Sequence, residues 1–363
     1  MKRWSLFIGS YAGIKVFIHW TFWIIIGWIF LMHFQMGHGR SEGLAGVVFI
    51  LVLFACVVLH EFGHALTAKR YGIPTQDITL YPIGGVASLN KIPDKPGQEL
   101  AVALAGPAVN LAIAGVLYAA LAFSGKLAPL SETNLIGMNN FWFNLMIANI
   151  ILALFNLIPA FPMDGGRVLR ALLAFRMDKL QATNIAAKVG QFLAILFVFF
   201  GFFTNFWLVF IGLFIFLGAS GEAAYEQQKA VLKGVKVKDV MLKNVPSLPA
   251  HLSIGAALHS ATSTQDSIFL VTEQGLQKGL LTLQDLIDGL QETEIEAPLS
   301  QIMRTDFEAI HEDMPLTDAL EKAFHSGIEA APVVDRGQVV GVLSKKHIQE
   351  KLELNKQLKK LRI

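Results

Sequence analysis

Charge is scarce in this 363-residue chain: Asp, Glu, Lys and Arg make up 16% of it, against 53% hydrophobic residues. Soluble domains carry about 25% charged residues, so the deficit excludes an ordinary soluble fold for the chain as a whole and points to a membrane protein. Cysteine occurs once, as Cys56. A single thiol excludes an intrachain disulfide and a cysteine-based metal site, and its apolar surroundings read as those of a small buried hydrophobe. The formal net charge of +2 identifies no partner, and no nucleic acid is expected. The first long apolar run, from about Val16, has no small-residue cleavage site before the next polar stretch, so a retained span is expected rather than a removed signal peptide.

What the chain does have is apolar length. Six stretches suit helices of about 20 residues crossing a roughly 30 Å hydrocarbon core. They are Val16 to Phe34, Leu44 to Ala68, Leu100 to Phe123, Phe141 to Phe161, Ile185 to Phe203 and Asn205 to Ala224. Lys2, Arg3 and Lys15 precede the first. Lys69, Arg70, Lys91 and Lys95 follow the second, and Arg167, Arg170, Arg176, Lys179 and Lys188 follow the fourth. The opposite loops hold Arg40 and Lys126. That bias predicts a multi-pass cell-membrane protein with both termini cytoplasmic. Between the second and third spans, Gln76 to Leu89 mixes β-favouring residues with Pro82, Gly84 and Gly85, and predicts a membrane-associated β-hairpin; a surface connector is the alternative.

Near the expected cytoplasmic end of the second span stands His60-Glu61-Phe62-Gly63-His64. Histidines at i and i+4 share one helix face and are spaced to hold one zinc ion. Glu61 lies beside that face, where it can take a proton from an attacking water. Ionisable groups at membrane depth are costly unless partnered, which favours a functional role. The plainer alternative is two histidines bonding neighbouring helices. A catalytic zinc takes three protein ligands, so a third is needed.

The segment Phe155 to Arg167 reads FNLIPAFPMDGGR. Pro159 and Pro162 break the fourth span, Asp164 follows on the same membrane side as His64, and Gly165-Gly166 permit close backbone approach. Asp164 is therefore expected as the third ligand, with a helix N-cap as its alternative role. Asn156, a polar residue on an apolar surface, could stabilise an oxyanion or simply bond another helix. Gly106-Pro107 and Asn110 read as structural features of a kinked helix. His19, His33 and His38 read as interfacial or solvated.

After Ala224 the composition turns polar, and the tail repeats. Val237 to Met241 matches Leu299 to Met303, and Gly279 matches Gly341, each offset by 62 residues (303 minus 241, 341 minus 279). Two copies of one supersecondary unit are implied. Each runs extended segment, amphipathic helix, apolar strand (Ser267 to Val271, Ala331 to Asp335), turn, strand and helix, too small to be fully stable alone.

HEFGH in the second span, YPIGGVASL, AGPAVN and FNLIPAFPMDGGR together resemble the site-2 protease family of intramembrane zinc metallopeptidases over residues 1 to 224. The resemblance implies His60, His64 and Asp164 as ligands of Zn2+ and Glu61 as general base. It also implies cleavage within transmembrane segments of membrane-bound regulators. The tail resembles a tandem pair of CBS modules. The expected architecture is thus an α-helical polytopic membrane domain, with six transmembrane helices and a membrane-associated β-hairpin, followed by a soluble α/β tandem CBS domain. Its parts are a protease domain at 1–224, a helical linker at 225–234, modules at 235–294 and 295–354, and a basic tail at 355–363.

In the first module, Gly279 to Asp285 resembles the family's nucleotide pattern, which implies Thr282 and Asp285 as contacts for ATP or AMP. The second copy carries His347 in place of the acid, which puts a second ribose site in doubt and leaves a structural or homodimer-forming tail open. For the substrate, the expectation is that the hairpin near Ile83, through Gly84, Gly85 and Val86, pairs with a locally unwound transmembrane strand by edge addition, with Asn156 assisting. The rival reading is a membrane transporter or channel gated by CBS modules; it predicts ionisable residues spread along a pathway, whereas here they concentrate in HExxH and near Asp164.

Overall fold

The computed structural model describes residues 4–35, 40–82, 84–89, 93, 95–127, 140–264, 266–308, 310–323, 329–336 and 338–351. Ile83, His38 and the basic tail 355–363 lie outside them, as do the side chains of His33 and Val86. Two compact units divide the chain, Met1–Glu226 and Gln227–Ile363.

The first unit opens with β1 (Ser5–Tyr11) and β2 (Ile14–His19), then α1 (Phe22–Gln35) and α2 (Arg40–Arg70). Next come β3 (Thr75–Tyr81), β4 (Gly84–Leu89) and α3 (Pro96–Phe123). It closes with α4 (Phe141–Asn156), α5 (Asp164–Ala174), α6 (Lys179–Phe203) and α7 (Trp207–Leu232). The strands form one sheet in the order β1-β2-β3-β4. β2 and β3 run parallel; the outer pairs are antiparallel.

The sheet corrects the reading of the first span. Val16 to His19 is strand, not helix, because Ala12 (φ 54) and Gly13 (φ 85) turn the chain in the left-handed region and fold β1 back along it. Val16, Phe17 and Ile18 suit a pleated surface and pair with Ile78, Thr79 and Leu80 of β3. The expected hairpin is therefore half of a four-stranded sheet, with β4 at one edge.

Among the described residues, four helices are long and apolar enough to cross a membrane, Gly43–Arg70, Pro96–Phe123, Lys179–Phe203 and Trp207–Leu232. α1 and α4, with 14 and 16 residues, extend only about 21 and 24 Å. The fourth expected span stops at Asn156, and residues 157–163 form turns, because Pro159 and Pro162 cannot donate to a helix. A further correction concerns Arg170. Counted among the loop cations by the positive-inside reading, it lies on α5 with none of its surface exposed. α7 runs to Leu232, through most of the expected linker.

In the second unit, α8 (Val237–Val240) precedes β5 (Ser247–Pro249), α9 (Ile254–Thr264), β6 (Ile268–Glu273), β7 (Leu276–Thr282) and α10 (Leu283–Glu292). The second copy supplies a 3-10 turn at Leu299–Gln301, β8 (Ile310–His311), α11 (Leu316–Ala323), β9 (Ala330–Asp335) and β10 (Gln338–Ser344). Each copy builds a three-stranded sheet. The two are tied by exchange. Val237, Val240 and Met241, from the start of the first copy, are buried in the second copy's core with Ile310, Leu316, Val333 and Leu343. In return Leu299 enters the first copy's core with Phe269, Leu281 and Leu286, and Ile302 and Met303 pack against it. The backbone repeats the symmetry, with Leu242 bridged to Val342 and Arg304 to Leu280. Neither copy closes its core without the other.

Leu299→Ala is accordingly expected to destabilise the second unit by about 2–5 kcal/mol and to loosen both copies together. Urea unfolding followed with probes in each copy checks this; independent transitions would contradict it.

Candidate metal centre

α2 carries His60 and His64 one turn apart on one face. Close approach of α3 brings that face to its partners. A Cβ added at Gly63 would lie 2.7 Å from Ala105 O of α3. One added at Gly106 would run into His64 Nε2 and come within 2.7 Å of His60 Nε2. Glycine at 106 is what lets the two imidazole tips meet over the α3 backbone.

From the other side, the turns at 157–163 deliver Asp164. Its first-turn glycines are packed tightly. A Cβ at Gly165 would collide with Ile158 O and Leu157, and one at Gly166 would lie 2.6 Å from Phe161 N. Asp164 is the first residue of α5, and the N-cap position belongs to Met163, which makes no side-chain cap bond. The capping alternative is thus not realised; the carboxylate turns to the histidines instead.

Three donor atoms converge. His60 Nε2 and His64 Nε2 are 3.1 Å apart, and Asp164 Oδ2 lies 3.2 Å from the first and 3.1 Å from the second. All three residues are buried. A tetrahedral zinc with bonds near 2.0–2.1 Å holds its ligand atoms about 3.3 Å apart, close to this triangle.

The outward nitrogens fix the orientation of the rings. His64 Nδ1 donates to Val102 O at 2.7 Å. His60 Nδ1 lies 2.5 Å from Asn110 Oδ1, Asn110 Nδ2 donates to Asn149 Oδ1 at 2.9 Å, and Asn149 Nδ2 donates to Leu145 O at 2.9 Å. A backbone carbonyl only accepts, so the chain of amides has one direction. It leaves Asn110 an acceptor towards His60, whose Nδ1 must then donate. Each imidazole is therefore anchored through an N–H on its outer nitrogen, with Nε2 turned towards Asp164. Two imidazole nitrogens and a carboxylate oxygen converging in a buried space are a donor set that could hold a metal ion. Asn110, which the sequence reading left as structural, is the residue that orients His60. Asn149 was missed, and the available signal was an amide in mid-helix among the apolar residues of α4.

Glu61 stands beside the triad under the sheet. A Cβ at Gly85 of β4 would lie 2.7 Å from Glu61 Cγ, so glycine there admits the carboxylate. Gly84 has φ +139, a conformation glycine accepts readily, and Val86 pairs with Thr79 across the hairpin. Asn156, at the end of α4, donates to its own helix at Leu152 O, 3.0 Å away. His19 bonds Thr21 Oγ1 at 2.7 Å and takes no part in the triad.

In the second unit, Thr282 and Asp285 form a capping box on α10. Asp285 Oδ1 also accepts from Arg304 Nε at 2.8 Å and Nη2 at 2.5 Å. Both carboxylate oxygens are thereby in use.

Two imidazoles and one carboxylate, with an adjacent glutamate, are the donor set a hydrolytic metal centre uses. Family comparison agrees. The model of peptidase family M50 matches residues 48–132 and 124–197, and that of the CBS domain matches 237–292 and 299–354. A zinc metalloprotease of Methanocaldococcus jannaschii is 32% identical over 98% of this chain and 99% of its own length. Stage IV sporulation protein FB of Bacillus subtilis is 25% identical over 59% of this chain and 67% of its own. The solved site-2 protease of M. jannaschii is 37% identical over 61% of this chain and 95% of that one, with a TM-score of 0.46. The chain belongs to peptidase family M50, the site-2 protease metallopeptidases, and carries tandem CBS domains. A peptidase family match displaces the transporter alternative.

Removing the orienting amide in Asn110→Ala is expected to weaken zinc binding about 10–100-fold, and Gly106→Ala to weaken it more by blocking both Nε2 atoms. Zinc competition against a chelator reads both; wild-type affinity in Gly106→Ala would contradict the geometry.

Proposed function

We propose that this chain is a zinc-dependent intramembrane endopeptidase that hydrolyses peptide bonds within transmembrane segments of membrane-bound regulatory proteins. His60, His64 and Asp164 hold the metal, and the observation that carries the reading is the inward convergence of their three buried donor atoms. Zinc held there would polarise the scissile carbonyl and lower the pKa of a water towards about 7. Glu61 takes the proton of the attacking water and returns it to the leaving amine. Its place beneath Gly85 supports this assignment.

The substrate must expose an extended strand, because a helix keeps its carbonyls bonded internally. β4 is an edge strand whose Gly85 touches Glu61, so a strand added along Gly84, Gly85 and Val86 runs beside the base. Asn156 steadies the reacting carbonyl, and for that it must exchange its bond to Leu152 O. The apolar helices support a site within the lipid bilayer; on this reading the termini and CBS modules are cytoplasmic and the modules pair in a homodimer. Control by adenine nucleotide at Thr282 and Asp285 belongs to the same reading, and it requires Asp285 to release Arg304.

Glu61→Gln should keep zinc while cleavage of a membrane-embedded substrate falls at least about 10²-fold; cleavage at the wild-type rate would sink the assignment. For the modules, Arg304→Ala should tighten ATP or AMP binding about tenfold by freeing a charge-assisted hydrogen-bond acceptor. Calorimetry showing weaker binding would place the nucleotide elsewhere or give Arg304 a direct part in holding it.

A further inference from the structure

Arg170 has no role in the chemistry, yet among the described residues it is the largest side chain buried without any exposed surface. Its surroundings form a hub. Nε donates to Glu99 Oε1 of α3 at 2.7 Å. Nη2 lies 2.6 Å from the same oxygen, an ion-pair distance at an angle too poor for a hydrogen bond. Nη1 donates to Glu222 Oε1 of α7 at 2.5 Å. The guanidinium carbon sits 5.0 Å from the centre of the Phe161 ring, within cation–π range.

Each contact reaches an element that sets the metal centre. Glu99 is one turn before Val102 on α3, and Val102 O orients His64. Phe161 belongs to the turns that deliver Asp164, and Gly166 packs against its backbone nitrogen. Glu222 is one turn after Gly218 on α7, where a Cβ would lie 3.0 Å from Pro162 N. One planar cation thus ties the Asp164 turn, the helix that orients His64 and the helix that backs the turn.

The energetics favour a directional role over mere adhesion. Burying one guanidinium with two carboxylates costs desolvation that apolar residues of similar volume would avoid. The rigid fork of arginine fixes both partners in angle as well as distance; a lysine ammonium on a flexible stem does not.

We propose that Arg170 is a positioning residue for the metal centre, setting through Glu99, Glu222 and Phe161 the separation of Asp164 Oδ2 from the two histidine Nε2 atoms. The inference rests on the metal-centre reading above. Its test uses the full-length protein in detergent, comparing wild type with Arg170→Lys and Glu222→Gln. The readouts are zinc affinity by chelator competition and the visible spectrum of the cobalt-substituted protein, which reports ligand geometry; far-UV dichroism and thermal melting check folding. Arg170→Lys is expected to fold, to bind zinc about tenfold more weakly and to show a shifted cobalt spectrum. Glu222→Gln, which keeps the Glu99 contact, should shift the spectrum in the same direction with a smaller loss, and it carries the test if Arg170→Lys does not fold. Wild-type affinity and spectrum in the folded variants would overturn the positioning role. A wild-type protein that takes up neither metal would overturn the metal centre itself, and this inference with it.

Discussion

Two hydrogens decide the character of this membrane domain. The outward nitrogen of each histidine donates, one to the Val102 carbonyl and one into the amide chain from Asn110 through Asn149 to Leu145. With both outer nitrogens anchored, the two Nε2 atoms are turned inward to face Asp164. Much of the surrounding architecture serves that arrangement. Gly63 and Gly106 let α2 and α3 approach, Gly165 and Gly166 let the Asp164 turn fold on itself, and the broken α4 leaves room for that turn between the helices.

The sheet is the second constraint. Four strands built from an N-terminal hairpin and the β3–β4 hairpin place an edge beside Glu61. The inner strands β2 and β3 are paired on both sides, while β4 keeps one edge open. In the second unit the constraint is different. Each repeat lends its first turn to the other's core, so the pair folds as one body, and the Asp285–Arg304 pair belongs to this framework.

How much of this was legible before any coordinates depends on the distance over which each residue acts. HExxH was readable because its members lie within one turn. Asp164 was readable because prolines mark a break and topology fixes the side. The repeat announced itself by a constant offset. The N-terminal strands were not readable: Val16 to His19 is apolar enough to begin a span, and only pairing with β3 makes it a strand. Arg170 was misread for the same reason, since a cation after a span counts as a loop charge until two carboxylates, 71 and 52 residues away, are seen against it. Asn110 acts on a histidine 50 residues distant, a relation that no spacing encodes.

The central claim is the identity of three ligand atoms, and X-ray absorption at the zinc edge of the purified full-length protein tests it most directly. The account predicts one zinc per chain, with two imidazole shells and light-atom donors at about 2.0–2.1 Å, and with the shell altered in Asp164→Ala while both imidazoles persist. A metal bound with fewer than two imidazoles, or a shell indifferent to Asp164→Ala, would contradict it.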